Sequence, residues 1–141
     1  MDKHTITGIE QGRAKFAYDC ADEVKTESEA KKYKAYVKKL PMLIKTNGLG
    51  SALAFVKAKS GTSTQEKSDE KKAYEKIYHN ITQWFKNDKK QIIKLQDNDD
   101  LVNIIINLKS NEYRFATIET LSFLVWLRRF AEGLIEGEDQ G

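Results

Sequence analysis

Apolar residues recur at steps of three and four through most of the chain, which is the spacing of helices with one buried face. Such runs predict helices over about residues 7–25, 26–40 and 67–86. The first two open with a threonine and, three residues later, a glutamate, which is the spacing of a capping box. A long last helix is predicted to follow a cap formed by Ser110 and Asn111.

This last helix is apolar around most of its circumference, so we expect it to be buried on more than one side. Trp126 lies in its middle, and we expect alanine at this position to destabilise the protein severely. Arg128 and Arg129 interrupt the apolar run, and adjacent helical residues point about 100° apart. At least one of these arginines should therefore lie at the boundary with another surface. Residues 136–141, EGEDQG, are acidic and predict a disordered tail.

The segment between residues 33 and 59 contains the only proline of the chain. Proline inside a helix costs about 3 kcal/mol, so Pro41 predicts a boundary between two helices. Gly48 predicts the end of the second one, since glycine commonly terminates helices in a left-handed conformation. A third helix over about residues 52–57 should follow.

Residues 101–108 could form a strand by propensity, but no second strand is available to pair with them, so a helix is favoured. The acids at 97, 99 and 100 resemble calcium ligands. A calcium loop starting at Asp97 would need glycine at position 102 and glutamate at position 108, where valine and leucine stand. We therefore interpret these acids as an N-terminal cap and first-turn cluster.

With 141 residues, one proline and few turn signals, the chain is predicted to be a single all-α domain over residues 1–141. We expect a compact bundle of about six to seven helices with a mobile polar loop near residues 60–68. One cysteine and an N-terminus without an apolar signal region indicate the cytoplasm, and no apolar run is long enough to span a membrane.

Positive charge is concentrated in one quarter of the chain. Residues 30–65 contain no acid and eight lysines, at positions 31, 32, 34, 38, 39, 45, 57 and 59. This block carries +8, so the remainder carries −5 against the total of +3. On the helix before Pro41, Lys31, Lys34 and Lys38 share one face beside an apolar one. An unbalanced cationic face indicates a polyanionic partner, although a merely solvated face has the same pattern.

No hydrolase, protease, phosphate-loop or dinucleotide motif is present, and we predict no catalytic activity, no cofactor and no metal site. Cys20 lies on the apolar face of the first helix and is expected to be a buried, unreactive thiol. Arg13 lies on or beside the same face. It either pairs with a buried acid or marks a contact surface, and the sequence leaves both possibilities open.

Several segments resemble the small helical subunit of the type III-B CRISPR effector, the Cmr complex. They are GRAKFAYDC (12–20), the stretch 33–59 with LPMLIKTNGLGSALAF, AYEKIYHNITQWF (73–85), and 111–134 with YRFAT and WLRRFAEGL. The resemblance covers nearly the whole chain in order. It implies a compact all-α protein without catalysis, of which several copies stack along an RNA-guided filament. Its partners would be the backbone subunits, the large polymerase-like subunit, and guide and target RNA.

The lysine block supplies a mechanism for this setting, because phosphate contacts position nucleic acid without discriminating its sequence. The candidate RNA-binding residues are Lys31, Lys34, Lys38, Lys39, Lys45, Asn47 and Lys57, with Arg13, Arg128 and Arg129 as weaker candidates. We expect Lys31, Lys34 and Lys38 to be replaceable by glutamine without unfolding.

Two alternatives stay open. One is a helical protein-interaction scaffold in which the lysines only confer solubility. The other is a helix-turn-helix DNA-binding protein, with residues 41–45 as the first helix and residues 51–59 as the recognition helix. Its base-contacting positions, 52–56, would be almost entirely apolar, which disfavours this alternative.

Overall fold

The computed structural model of the chain describes residues 3–61, 66–87 and 93–139, with side chains from residue 11 onward. Within these residues the protein consists of six helices and no strand, which confirms the predicted all-α bundle. The helices are α1 (Lys3–Val24), α2 (Ala30–Asn47), α3 (Leu49–Lys59), α4 (Asp69–Asn87), α5 (Leu101–Ile106) and α6 (Ser110–Leu134). Residues 62–65 of the predicted polar loop lie outside the described residues.

The helices pack as a bundle around α2 and α6. α6 packs along α1 and α2, α4 packs on α2 and α3, and the short α5 packs on α3 and α6. The buried side chains of all six helices belong to one hydrophobic cluster. This arrangement packs α2 against α3, α4 and α6.

α2 runs without interruption over Ala30–Asn47 and carries Pro41 inside it, so the predicted division into two helices is wrong. Proline in a helix removes one backbone hydrogen bond and costs about 3 kcal/mol. Val37, Leu40 and Ile44, on the turns before and after it, are buried. Each large aliphatic side chain contributes about 1.5–3 kcal/mol when buried. The packing of these turns outweighs the cost of the proline.

The junction between α2 and α3 depends on two glycines. Gly48 ends α2 with a φ of 90°, as predicted, and donates its N–H to the Ile44 carbonyl at 2.8 Å. Gly50 packs so closely on α5 and α6 that a Cβ atom would come within 3.1 Å of Ile106. Its N–H donates to the Tyr113 hydroxyl at 2.8 Å. α3 therefore starts at Leu49, three residues earlier than predicted.

Three predicted helix caps are wrong. The capping box at residues 7–10 falls inside α1, which begins at Lys3. The capping box at residues 26–29 lies in the turn before α2, where turn hydrogen bonds take the place of a side-chain cap. α6 begins at Ser110, and its cap is the Glu112 carboxylate, which accepts the Lys109 N–H at 3.1 Å.

The acidic cluster before α5 also differs from its predicted role. The segment is helical, as favoured, but Asp100 makes no side-chain hydrogen bond to the first turn of α5. Its carboxylate accepts hydrogen bonds from the Lys57 ammonium, at 2.7 Å, and from the Tyr78 hydroxyl. Tyr78 in turn accepts the Val102 N–H at 3.0 Å. Asp100 thus stands at the N-cap position of α5, as predicted, but its side chain connects α3, α4 and α5.

Three aromatic rings from three helices meet in the core. Phe16 of α1 lies 5.6 Å from Trp84 of α4 and 5.8 Å from Phe123 of α6, measured between ring centroids. Trp84 and Phe123 stack at 5.6 Å with 6° between their planes. Aromatic pairs contribute about 0.5–1.5 kcal/mol beyond their buried area. These contacts hold α1, α4 and α6 together.

The burial of α6 is less complete than its composition predicts. Its fully buried residues form one broad stripe, whereas Ile118 and Val125 are exposed. Trp126 is only partly buried and lies against Phe130 and the Arg129 guanidinium. The expectation of a deeply buried Trp126 is wrong, because α1 and α2 cover the side of α6 that carries Phe123 instead.

We therefore expect Phe123→Ala to lower the free energy of unfolding by about 3–5 kcal/mol, since its ring is fully buried among two others. Trp126→Ala should cost clearly less, because the indole is already partly hydrated. Urea unfolding of both variants, followed by far-ultraviolet circular dichroism, measures the difference. A larger loss for Trp126→Ala would show that the aromatic core is centred elsewhere.

Candidate nucleic-acid interface

The outward side of α2 carries three lysines spaced seven residues apart, Lys31, Lys38 and Lys45, which we call the α2 lysine line. Seven residues make almost two helical turns, so their side chains project in similar directions about 10 Å apart. Lys31 and Lys45 are exposed, and Lys38 is partly exposed, with its ammonium 4.0 Å from the Glu132 carboxylate. The line presents evenly spaced positive charge to solvent.

Lys34, predicted to share this exposed face, is buried, with 4% of its surface exposed. Its ammonium donates to the carbonyl of Ile135 at 3.0 Å and to that of Gly137, and lies 3.5 Å from the Glu138 carboxylate. The prediction of an exposed position is therefore wrong for Lys34. The C-terminal end of α6 crosses this side of α2, and its free carbonyls need donors.

The residues after α6 also approach the other lysines at the start of α2. Asp139 lies 3.4 Å from the Lys32 ammonium, and the Lys31 side chain passes over Gly137, where a Cβ atom would come within 3.0 Å of it. Through Asp139, residues 136–139 of the tail predicted to be disordered lie against α2, and residues 140–141 lie outside the described residues. The tail balances part of the positive charge of the lysine block.

The remaining lysine candidates differ in their surroundings. Lys39, like the neighbouring candidate Asn47, is exposed and has no ion-pair or hydrogen-bond partner for its side chain among the residues that the structure describes. Lys57 binds Asp100 and lies 5.2 Å from the centre of the Tyr78 ring. Burial alone would raise the pKa of Asp100, but hydrogen bonds from Lys57 and Tyr78 outweigh this effect and lower it. Lys57 therefore has a structural partner.

The sequence left open whether Arg13 pairs with a buried acid or marks a contact surface, and the structure distinguishes the two. Its guanidinium binds the Glu119 carboxylate in a bidentate pair, with Nε to Oε1 at 3.0 Å and Nη2 to Oε2 at 2.7 Å. The Trp84 indole donates to the same Oε1 at 3.0 Å. Glu119 is 4% exposed, and 15% of the Arg13 side chain is exposed. Arg13 thus pairs with a buried acid.

Arg128 and Arg129 are both exposed on the C-terminal half of α6. Arg128 pairs with Glu132 at 3.1 Å, and Glu132 is also the neighbour of Lys38. The Arg129 guanidinium lies 5.6 Å from the centre of the Trp126 ring. Because α6 packs along α2, Arg128 flanks the α2 lysine line.

The geometry is inconsistent with the helix-turn-helix alternative. The proposed first helix is only the end of the long α2. In α3, three of the five base-contacting positions, Ala52, Leu53 and Val56, are at most 1% exposed and pack in the core. The two exposed positions among the five, Ala54 and Phe55, offer no hydrogen-bonding side chain to a DNA base.

Groups with catalytic or metal-binding chemistry are scattered. Burial, with smaller effects from the Glu23 and Asp19 charges, raises the pKa of Cys20 to about 12, so its thiol is protonated at neutral pH. In the described parts of the chain, no three His, Cys, Asp or Glu side chains lie together as a metal site would require. None of the helices described is long and apolar enough to cross a membrane.

Two features of this surface were missed at the level of sequence. One is the contact of the tail with Lys32 and Lys34, which are 107 and 103 residues distant from Asp139 and Gly137. The acidic composition of the tail, opposite in sign to the lysine block, was the available signal. The other is the network of Lys57, Tyr78 and Asp100, for which no periodic pattern exists.

Fold and surface together define a small all-α protein with a lysine-bearing helix on its outside. Residues 9–134 match the family model of the CRISPR-associated protein (Cas_Cmr5). The chain is also similar to the crystal structure of a CRISPR-associated Cmr5 family protein from Thermus thermophilus, with 27% identity and a TM-score of 0.69. The match covers 90% of this chain and 97% of that one. The chain belongs to the Cas_Cmr5 family and is a subunit of the type III-B Cmr complex.

The buried ion pair generates one prediction. Glu119→Gln keeps the size of the side chain but leaves the mostly buried guanidinium of Arg13 without a counter-charge. We expect the free energy of unfolding to fall by about 3 kcal/mol. Glu132→Gln is the matched control, since the same change at the exposed partner of Arg128 should cost at most about 1 kcal/mol. Urea unfolding measures both, and equal values would show that the buried pair has no structural role.

The buried and the exposed lysines of α2 generate a second prediction. Lys34→Gln removes a buried ammonium that donates to two carbonyls, and we expect a loss of about 1–3 kcal/mol in unfolding free energy. Lys31→Gln, three residues away and exposed, should change it by less than about 0.5 kcal/mol. Thermal unfolding monitored by circular dichroism compares them. An unchanged melting temperature for Lys34→Gln would contradict the buried position of this side chain.

Proposed function

We propose that this Cmr subunit is non-catalytic, stacks with further copies of itself along the effector filament, and holds guide and target RNA through contacts to backbone phosphates. The observation that carries the proposal is the α2 lysine line, in which three regularly spaced cations lie on the outward side of one rigid helix. Polyanions are attracted by clustered charge of one sign.

The chemistry of the line fits phosphate better than base edges. Specific recognition of bases uses side chains that both donate and accept hydrogen bonds, such as Asn and Gln, or the fixed fork of Arg. Lysine is a flexible point charge that binds phosphate without sequence preference. In an RNA-guided complex, pairing with the guide already supplies the sequence specificity. The subunit therefore needs only to hold the backbone.

The exposure and the partners of the candidate residues support a smaller set of RNA contacts. Lys31, Lys38, Lys39 and Lys45 are the main contacts, and Asn47 adds a polar group at the end of α2. Arg128 and Arg129 extend the positive surface along α6. Lys34 and Arg13 are left out because they are mostly buried and paired within the protein, and Lys57 because the Asp100 carboxylate and the Tyr78 ring hold it.

In this proposal the subunit acts in antiviral defence in the cytoplasm, beside the backbone subunits and the large polymerase-like subunit. It brings no reaction chemistry of its own. The scaffold alternative, in which RNA never contacts the lysines, is favoured by one observation: the tail already balances Lys32 and Lys34. If this alternative is correct, replacing the lysines of the α2 lysine line should leave the salt dependence of RNA affinity unchanged.

Replacing Lys31, Lys38 and Lys45 together by glutamine should flatten the dependence of RNA affinity on salt. Each phosphate contact of single-stranded nucleic acid contributes about −0.7 to the slope of log affinity against log salt, so three contacts account for about −2. The loss should be similar for unrelated sequences. Fluorescence anisotropy with two unrelated single-stranded RNAs at several salt concentrations measures it.

The control is the triple variant Lys15→Gln, Lys94→Gln, Lys109→Gln, which removes the same charge from exposed positions outside the acid-free block. Its slope should stay within experimental error of the wild type. If both triple variants change the slope equally, net charge and not the α2 lysine line determines binding. If neither changes it, the scaffold alternative is correct.

A further inference from the structure

An open groove of about 590 Å³ lies between α2, α3 and α4, on the side of α2 next to the lysine line. Its floor is aliphatic and includes Leu40, Leu43, Val56 and Ile77. Met42 and Phe55 line its mouth and are 67% and 42% exposed. Apolar side chains at the mouth of an apolar groove are typical of a surface that binds a partner.

The aromatic rings of this groove are engaged with one another. Tyr36 and Tyr74 stack with their centroids 4.1 Å apart and 10° between their planes, and Phe55 meets Tyr74 edge to face at 5.9 Å. Nucleobases bind to aromatic platforms by stacking on free ring faces. Because these faces already contact each other and the floor is aliphatic, the groove suits apolar amino-acid side chains better than bases.

The charged residues that line the groove are all basic. Lys38 and Lys39 lie on its rim, and Lys59 lies 5.6 Å from the Phe55 ring at its mouth. Among the described residues that line the groove there is no acid. Complementary charge favours correct partners and disfavours others. A partner of this groove should therefore combine apolar anchors with acidic residues beside them.

We propose that this groove docks an acidic amphipathic helix of another protein subunit of the Cmr complex. Such a helix would insert large apolar side chains spaced three and four residues apart, and its acids would meet Lys38 and Lys39. Met42 suits this role, because its flexible thioether adapts to the shape of an inserted side chain. The chain belongs to a multi-protein complex, which supplies a protein partner.

A photo-crosslinker tests which class of molecule occupies the groove. Met42→p-benzoylphenylalanine is incorporated into the complex reconstituted with RNA, irradiated and analysed by mass spectrometry. The expected product joins position 42 to a protein segment that has helical apolar spacing and more acids than bases. Ile118→p-benzoylphenylalanine, at an exposed apolar position of α6, should not crosslink to that segment. Crosslinks to RNA, to a basic segment or to nothing would overturn the proposal.

A binding experiment tests the energetic contribution of the groove. The variant subunit is added to a Cmr complex that has been assembled without this subunit, and its Kd for that complex is measured. Met42→Gln should raise this Kd by about tenfold, as for an anchor at the centre of an interface. Ile118→Gln, a comparable apolar-to-amide change elsewhere, should raise it less than about twofold. Equal effects of the two variants, or no effect of either, would overturn the assignment.

The same variant separates this proposal from the proposed RNA contacts. Met42→Gln carries no change in charge, so the isolated variant should bind RNA with the salt dependence of the wild type. Weakened assembly with unchanged RNA binding supports the docking groove whether or not the α2 lysine line binds RNA. A loss of RNA affinity in Met42→Gln would instead place nucleic acid in the groove and contradict the proposal.

Discussion

The arrangement of α1, α4 and α6 depends on the hydrogen bonds that the buried Glu119 carboxylate accepts. A buried carboxylate costs several kcal/mol unless charged and hydrogen-bonding partners surround it. α1 must therefore present Arg13, and α4 must present Trp84, at fixed positions around α6. Trp84 also stacks on Phe123, one turn further along α6, so the polar contact and the aromatic core align the same helices.

α2 is attached to this frame by contacts of a different kind. Tyr33 is fully buried and donates its hydroxyl hydrogen to the Asn80 side chain of α4 at 2.6 Å, and burial raises its pKa well above the ordinary value. Lys34 donates to the end of α6. Held by these two neighbours, α2 continues through Pro41, and Lys31 and Lys45 of the α2 lysine line remain exposed.

The fold class and most helices could be predicted from sequence, because helical periodicity over ten or more residues is a strong local signal. The wrong predictions concern positions whose structure depends on residues that are distant in sequence. Local propensity places a break at Pro41, but tertiary packing carries α2 through it. Threonine and glutamate at residues 26 and 29 have the spacing of a capping box, but both lie in the turn between α1 and α2.

The candidate surface could likewise be predicted from sequence only in part. One segment of one-signed charge predicts a cationic helix correctly, but helical geometry alone cannot distinguish Lys31 from Lys34, which lie about 60° apart around the axis. The difference arises because the end of α6, about one hundred residues away in sequence, covers one of them. Arg13 is likewise ambiguous until Glu119 is placed beside it.

The lysine block is thus divided among three uses by the neighbours of α2. The residues that follow α6 balance the charge of Lys32 and Lys34 within the protein. The outward side keeps Lys31 and Lys45 exposed, and the side facing α4 borders the apolar groove with Lys39. Lys38 borders both the line and the groove, so under the two proposals a docked protein helix and RNA would lie side by side. One helix could then align a neighbouring subunit and the nucleic acid without any moving part.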